Sequence, residues 1–382
     1  MSQKAPILAG TVSAITGVAA STGVVLAAMK GLGANNAQIL SVIFVATLSY
    51  GLLSIVLSFR YKMPLSIVWS TPGAALLVAS GTLNLGFDVA VGSFIVTGVL
   101  LALTGLWPAL GRVVSSIPKP IASAMLAGVI FTFCIAPFQV ITTNPWVILP
   151  ALVVWLLLYR FATLWAAPAA IAVMGVAIAA TVELPSSTLS LLPQLEFTMP
   201  EFTLSGIISI SLPLYLVTMA SQNIPGIAIM KSFGFEVPFR PVMVSTGLAT
   251  IATAPIGGFA YNHAAITAAL NANEHAHKEP KKRYLASVYG GVVYVLLALF
   301  AVPFMTFVLG VPDKLILAMA GIALFATITS AVTAATEDAE LRLPAVVTFL
   351  LGASGFSAWG VGAAFWALVT GVLVWLVLKK RD

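Results

Sequence analysis

Charged side chains are scarce in this chain of 382 residues: Asp, Glu, Lys and Arg together make up 8% of it. A soluble globular protein carries about a quarter. So few charges cannot cover a water-exposed surface, so a soluble fold is excluded. With 60% hydrophobic residues and a mean hydropathy of +1.06, the chain is expected to cross a membrane many times. Cysteine is limited to Cys134, which rules out a disulfide framework and a cysteine-built metal site. Within its apolar run Cys134 reads as a small buried hydrophobe. There is no Walker loop, no His-Glu-x-x-His and no Gly-x-Ser-x-Gly. An ATP-driven pump or a membrane hydrolase therefore has no visible machinery, and no cofactor is called for.

What the chain has is apolar runs. A spanning helix needs about 20 mostly apolar residues. Charges, Pro and Gly divide the sequence into fourteen segments near 8–29, 36–58, 64–81, 88–109, 119–139, 145–160, 164–182, 204–229, 239–252, 253–272, 284–308, 314–335, 343–354 and 358–378. The first apolar run, Ile7 to Met29, exceeds the 7–15 residues of a secretory signal. It reads as an uncleaved first span. A polar, Pro-rich stretch, 183–203, separates residues 1–182 from 204–382, seven segments on each side. The expected fold is an all-α polytopic membrane protein. With both termini in the cytoplasm, sixteen of the eighteen Lys and Arg fall inside and only Lys30 and Lys314 outside. That asymmetry accounts for the net charge of +6 without a nucleic-acid partner.

The two halves echo each other. Met29-Lys30-Gly-Leu32-Gly33 matches Met230-Lys231-Ser-Phe233-Gly234 at an offset of 201, and Ala19-Ala-Ser-Thr matches Ala220-Ser-Gln-Asn. Lys30 lies outside and Lys231 inside, so an inverted repeat of seven plus seven segments is expected. Segments 3 and 10 are both broken: Leu65 to Leu77 is interrupted at Thr71-Pro72-Gly73, and Ala254 to Thr267 at Pro255, Gly257 and Gly258. Backbone outside a helix is tolerated at membrane depth only where protein or a watery cavity satisfies it. Matching breaks in two halves point to the site of a secondary transporter. Packing kinks in ordinary helices are the simpler alternative.

Thr71-Pro72 reads as an N-cap followed by Pro in the first turn, and Asn262 as the N-cap of a helix from His263 to Asn271. Two such helix starts facing one pocket would bind an anion without Arg or Lys. Trp69, Phe259 and Tyr261 could sandwich a flat ring, although rings pack throughout membrane bundles. Ser221, Gln222, Asn223 and Ser70 are polar residues that pair across helices or line a pathway. His263 is the one histidine in an apolar run, at a helix end that favours neutral imidazole. Asp88, Glu337 and Asp338 sit at segment ends and read as interfacial caps. Glu274, His275, His277 and Glu279 have metal-like side chains, but their basic loop reads as solvated.

Trp69-Ser-Thr-Pro-Gly-Ala-Ala-Leu-Leu, Ser221-Gln-Asn-Ile-Pro-Gly, and Asn262-His-Ala-Ala-Ile-Thr-Ala-Ala with the following Glu274…Arg283-Tyr284 resemble the benzoate membrane transporter family. Members of that family are proton-coupled importers of benzoate in bacteria, which implies a place in the inner membrane, and the likeness covers essentially the whole chain. Family members often carry Leu at the place of His263. The family is similar to nucleobase–cation symporters, which implies a core domain of segments 1–4 and 8–11 moving against a gate domain of segments 5–7 and 12–14. Nucleobase carriers place acids on segments 8 and 10, where Gln222 and Tyr261 stand here; losing them suits a carboxylate ligand, because buried like charges repel. The resemblance implies benzoate:proton symport, with Ser70, Thr71, Gln222, Asn223 and Asn262 on the carboxylate and Phe259, Tyr261 and His263 nearby. Dimers are frequent among such relatives, so a homodimer in the lipid bilayer is an expectation. A carrier of another small anion or a nucleobase, or a passive anion channel, are the alternatives.

Overall fold

The computed structural model describes residues 4–181, 195–301 and 311–379. Helices prevail because a chain in hydrocarbon must satisfy its backbone internally. In the first half they are α1 (Lys4–Gly31), α2 (Asn36–Tyr61), α3 (Thr71–Ser80), α4 (Phe87–Leu106), α5 (Pro108–Ser116), α6 (Lys119–Cys134), α7 (Ala136–Val140), α8 (Pro145–Phe161) and α9 (Thr163–Thr181), with strand β1 (Ile67–Trp69) before α3. The second half has a helical stretch α10 (Leu204–Ser232), then α11 (Phe239–Thr253), β2 (Tyr261–His263), α12 (Ile266–Ala272), α13 (Tyr284–Leu299), α14 (Asp313–Thr336), α15 (Arg342–Ala353) and α16 (Ala363–Leu378). Among the described residues seven stretches are long and apolar enough to span a membrane: α1, α2, α4, α6 with α7, α10, Pro280–Leu299 and α14; α3, α8, α9, α15 and α16 are shorter apolar helices. Exposed Leu52, Val56, Leu156, Leu157, Leu296 and Leu373 turn apolar side chains outward, as a lipid-facing surface requires.

Several local features depart from the sequence expectation. Residues 110–118, expected as a connection, contain most of helix α5, which starts on Pro108. The expected segment 119–139 divides at Ile135 because Pro137 lacks the N–H that would continue α6. Helix α10 contains two π-turns, Ile207–Ser211 and Met219–Asn223. Such insertions often mark functional sites. The expected segment 284–308 is helical to Leu299; residues 302–310 lie outside the described residues, as do 182–194 of the expected linker. The rest of that linker docks on the helix ends: Thr198 N–H donates to Pro255 O (2.8 Å) and Glu201 N–H to Asp88 O (3.0 Å).

The same contacts recur in both halves. Helix α2 packs on α13 and α4 on α11, each pair closing on glycines. A Cβ on Gly51 would lie 3.0 Å from Gly291 O, and one on Gly247 would lie 2.6 Å from Gly98 O. Small residues let membrane helices approach this closely. Helices α1 and α10 end on matching caps: Ala34 N–H donates to Met29 O and Phe235 N–H to Met230 O, both at 3.0 Å. Gly33 (φ +85°) and Gly234 (φ +82°) supply the left-handed residue of each cap. A second group of helices packs together around α6, which touches α14, α15 and α16, while α8 lies on α9.

Candidate functional site

The two breaks meet. Strands β1 and β2 pair antiparallel, with Ile67 opposite His263, Val68 opposite Asn262 and Trp69 opposite Tyr261. Ser70 N–H donates to Ala260 O (3.0 Å) and Ala264 N–H to Ser66 O (2.9 Å), so each break satisfies the backbone groups of the other. A hydroxyl from the preceding helix catches the first strand amide in each half. Ile67 N–H donates to Ser54 Oγ (2.9 Å), and Tyr261 N–H donates to Thr250 Oγ1 (3.1 Å).

The helix starts differ from the expectation. Ser70, not Thr71, caps α3: its Oγ accepts from Gly73 N–H (3.1 Å), and Pro72 sits in the first turn. The ladder sets this register, because Ser70 is its last paired residue. Asn262 is no cap; it lies within β2, and α12 begins at Ile266 without a side-chain cap of its own. Helix α10 supplies the missing acceptors. Its π-turn brings Gln222 and Asn223 to the end of β2, where His263 N–H donates to Asn223 Oδ1 (2.9 Å) and Ala265 N–H to Gln222 Oε1 (3.3 Å). One turn earlier, Thr218 donates its hydroxyl to Ser70 Oγ (2.9 Å). One helix thus ties both breaks. The two half-helices leave the ladder from opposite ends rather than facing each other directly.

Six of the eight expected site residues, Ser70, Asn223, Phe259, Tyr261, Asn262 and His263, have no solvent exposure; Thr71 and Gln222 are half-buried. The expected ring contacts change accordingly. Phe259 is sealed between Trp69 (centroids 6.1 Å apart, stacked) and Phe94 (5.9 Å), and the Tyr261 hydroxyl is 3.0 Å from that of Thr253. Both rings brace the break instead of standing on an open face. Trp69 donates its indole N–H to Ser21 (2.8 Å), the residue that the sequence repeat aligns with Gln222. Ser21, Thr218, Ser54 and Thr250 escape sequence reasoning, since single hydroxyls abound in apolar runs; for Ser21 the repeat alignment was the available signal. Replacing Ser21 by Ala should orphan the buried indole N–H at a cost of about 1–3 kcal/mol, measurable as a lowered unfolding temperature in detergent.

Both amide atoms of Asn262 and both ring nitrogens of His263 are buried without a partner. Among the described residues no Asp or Glu is buried, and no cluster of metal-ligating side chains occurs. In the loop after α12, Lys282 lies 2.9 Å from Glu279 and holds its carboxyl below the usual carboxylate range. Arg283 is buried under that loop and donates to Ala272 O and His277 O, both at 2.8 Å. Glu337 and Asp338 are exposed, Glu337 within 3.4 Å of Lys119. A cavity of about 580 Å³ opens beyond the C-terminal half of α3, between Leu76, Ser80, Thr82 and the Lys30–Asp313 pair; none of the eight expected site residues lines it.

The fold has solved counterparts. The transmembrane domain of the cyanobacterial bicarbonate transporter BicA superposes with a TM-score of 0.61 at 13% identity, covering 98% of this chain and 97% of that one. The murine anion transporter Slc26a9, in its inward-facing state, gives 0.58 at 13% identity over 99% of this chain and 69% of that one. At such identity they share the fold alone: a multi-pass helical transporter. Sequence relatives are nearer. The inner membrane protein YdcO of Escherichia coli K12 is 36% identical over 374 residues, 98% of this chain and 95% of its own length. The benzoate membrane transport protein of Acinetobacter baylyi is 31% identical over 351 residues, 90% of this chain and 87% of its own. The family model for benzoate membrane transport proteins matches residues 1–377, and the chain belongs to that family.

Proposed function

We propose that this protein imports benzoate, or a closely similar aromatic carboxylate, together with protons across the bacterial inner membrane by alternating access. The observation that carries the reading is the state of Gln222. Its Oε1 accepts from Ala265 N–H, an orientation inferred from the hydrogen-bond network, so its amide NH₂ remains to donate. One turn earlier on α10 Thr218 bonds Ser70, the cap of the ten-residue helix α3, which offers the Thr71 hydroxyl and the positive end of its dipole. Donors without a buried acid suit an anion. Ser70, Asn223, Phe259, Tyr261 and His263 hold the two breaks around this point, and the unpartnered Asn262 amide is a further polar contact. The ring would lie on α6, which packs against both α3 and the Met219–Asn223 turn.

The paired contacts of α2 with α13 and α4 with α11, and the matching caps at Gly33 and Gly234, support a seven-plus-seven inverted repeat of fourteen segments. In that arrangement the α1–α4 and α10–α13 group is the core and the α6–α9 and α14–α16 group the gate. Both termini face the cytoplasm, as the distribution of Lys and Arg favours. The 580 Å³ cavity would then be an outer vestibule.

The purified protein in proteoliposomes should accumulate labelled benzoate above its external concentration when an inward proton gradient is imposed. Uptake that stops at equilibrium would identify a passive channel, and competition by uracil, sulfate and hydroxybenzoates would expose another substrate. Gln222→Ala should slow uptake about tenfold or more, the loss expected for a hydrogen bond to a charged group. Asn262→Ala should also impair it. Normal benzoate uptake by both variants would place the site elsewhere.

A further inference from the structure

Proton coupling needs a group that changes charge inside the membrane, and the described interior holds few. Apart from Arg283, which is committed to two backbone carbonyls, no Lys, Arg, Asp or Glu is buried. His263 is the exception among ionisable side chains at the crossing: it has no exposure, and neither ring nitrogen has a partner. An ionisable residue at such depth is by default a functional one. Its place is fixed closely. Its backbone N–H is held by Asn223, and its Nδ1 lies 2.6 Å from where a Cβ on Gly226 would stand, so only glycine leaves room for the imidazole there. Gly226 follows Gln222 by four residues, on the same face of α10 and about 6 Å further along its axis. The ring is therefore about one turn from the amide that would receive the carboxylate.

The titratable groups on the surrounding elements are phenols. Tyr50 and Tyr61 are on α2, Tyr215 on α10, Tyr261 on β2 and Tyr284, Tyr289 and Tyr294 on α13; β1, α11 from Pro241 onward and α12 contribute none. The charges of α2, α10 and α11, Arg60, Lys231 and Arg240, are exposed at helix ends. An imidazolium here has no fixed counter-charge and would bear the cost of an isolated buried ion. A bound carboxylate would bear the same cost alone. Together they neutralise each other, so each favours the arrival of the other.

We propose that His263 is the proton carrier of the symport in this chain, a role that relatives with Leu at this place must fill otherwise; it is protonated while the substrate carboxylate is bound at Gln222 and deprotonated on its release to the cytoplasm. The proton moves from external water to an imidazole nitrogen and back to water, one with each carboxylate. The inference rests on the benzoate reading above.

The test uses the purified full-length protein. Adding sodium benzoate to the wild type in weakly buffered detergent solution near neutral pH should take up about one proton per benzoate bound. In proteoliposomes the half-saturating benzoate concentration should rise about tenfold per pH unit above neutrality, the slope of single-proton linkage. His263→Gln and His263→Leu should flatten that slope and bring gradient-driven accumulation down to the equilibrium ratio, while benzoate counterflow stays measurable. A structural role alone would lower the amount of active protein and leave the slope. If the variants keep the slope and accumulate benzoate, the proton travels as benzoic acid and the proposal fails. If the variants do not fold, the wild type can still overturn it, by benzoate binding without proton uptake. A wild type that binds no benzoate would instead reject the substrate reading.

Discussion

Gly257→Val should abolish stable insertion of the second break, lowering stability by about 2–6 kcal/mol, the sum of backbone strain and overpacking. Gly257 ends the short helical turn Ala254–Ile256 with φ at +119°, a conformation that side-chain-bearing residues rarely adopt. A Cβ there would also lie 2.7 Å from the α2 backbone at Ser41 and Val42. Neither problem can relax, because Ser41 is bonded to Ile256 O at 2.6 Å and fixes the approach of α2 to the turn. Gly234→Ala provides the comparison. It shares the positive φ (+82°) but has open space around it, so it should cost only about 1–2 kcal/mol. Unfolding temperatures of the two variants in detergent should differ widely. Equal losses would show that φ alone matters and that the contact with α2 is soft.

The difference between these two glycines also marks what could be read without coordinates. Both stand out in the sequence, one beside Pro255 and one in the repeated Met-Lys motif, yet only packing separates a tight turn from an open cap. The same limit applies at the crossing. Hydropathy marks α1, α2, α4, α10 and α14, and the Pro and Gly residues mark where helices cannot continue. Which residue caps α3 is decided by the ladder, since Ser70 and Thr71 are both plausible hydroxyls and only the pairing with Ala260 fixes the register. Asn262 has the right chemistry for a cap, but the acceptors for the amides leading into α12, those of His263 and Ala265, come from Asn223 and Gln222, some forty residues away in sequence. Long-range substitution of this kind leaves no local signal. Phe259 and Tyr261 are legible as aromatics near the break, whereas their burial against Trp69, Phe94 and Thr253 follows from tertiary packing. Of the residues sealed at the crossing, Ser70, Asn223, Phe259 and Tyr261 build its shape, and Thr71 and Gln222 retain the exposure a ligand would use.

Arg283 is where the other end of α12 is held, and its replacement should have the second large effect. A seven-residue helix cannot sustain itself in isolation, so both of its ends depend on outside partners. Gln222 and Asn223 serve the start. At the end, the Arg283 guanidinium donates to Ala272 O, the last carbonyl of the helix, and to His277 O in the following loop. A cation at a helix C-terminus is also favoured by the dipole. Arg283→Met keeps much of the side-chain volume but orphans the buried carbonyl of Ala272 and the half-buried one of His277, with an expected loss of about 2–4 kcal/mol from two charge-assisted bonds less the desolvation of the arginine. Arg283→Lys should recover only part of this, because an ammonium is a point donor and cannot span two carbonyls as the planar fork does. Benzoate uptake should fall with the Met variant even at temperatures where the protein remains folded, since fraying of α12 moves Ala265 away from Gln222 and releases the amide orientation on which the proposed anion binding rests. Wild-type unfolding temperature and uptake in Arg283→Met would show that α12 is anchored by Asn271, which donates to Ser66 and Ser287 at 2.9 and 3.1 Å, and not by the arginine.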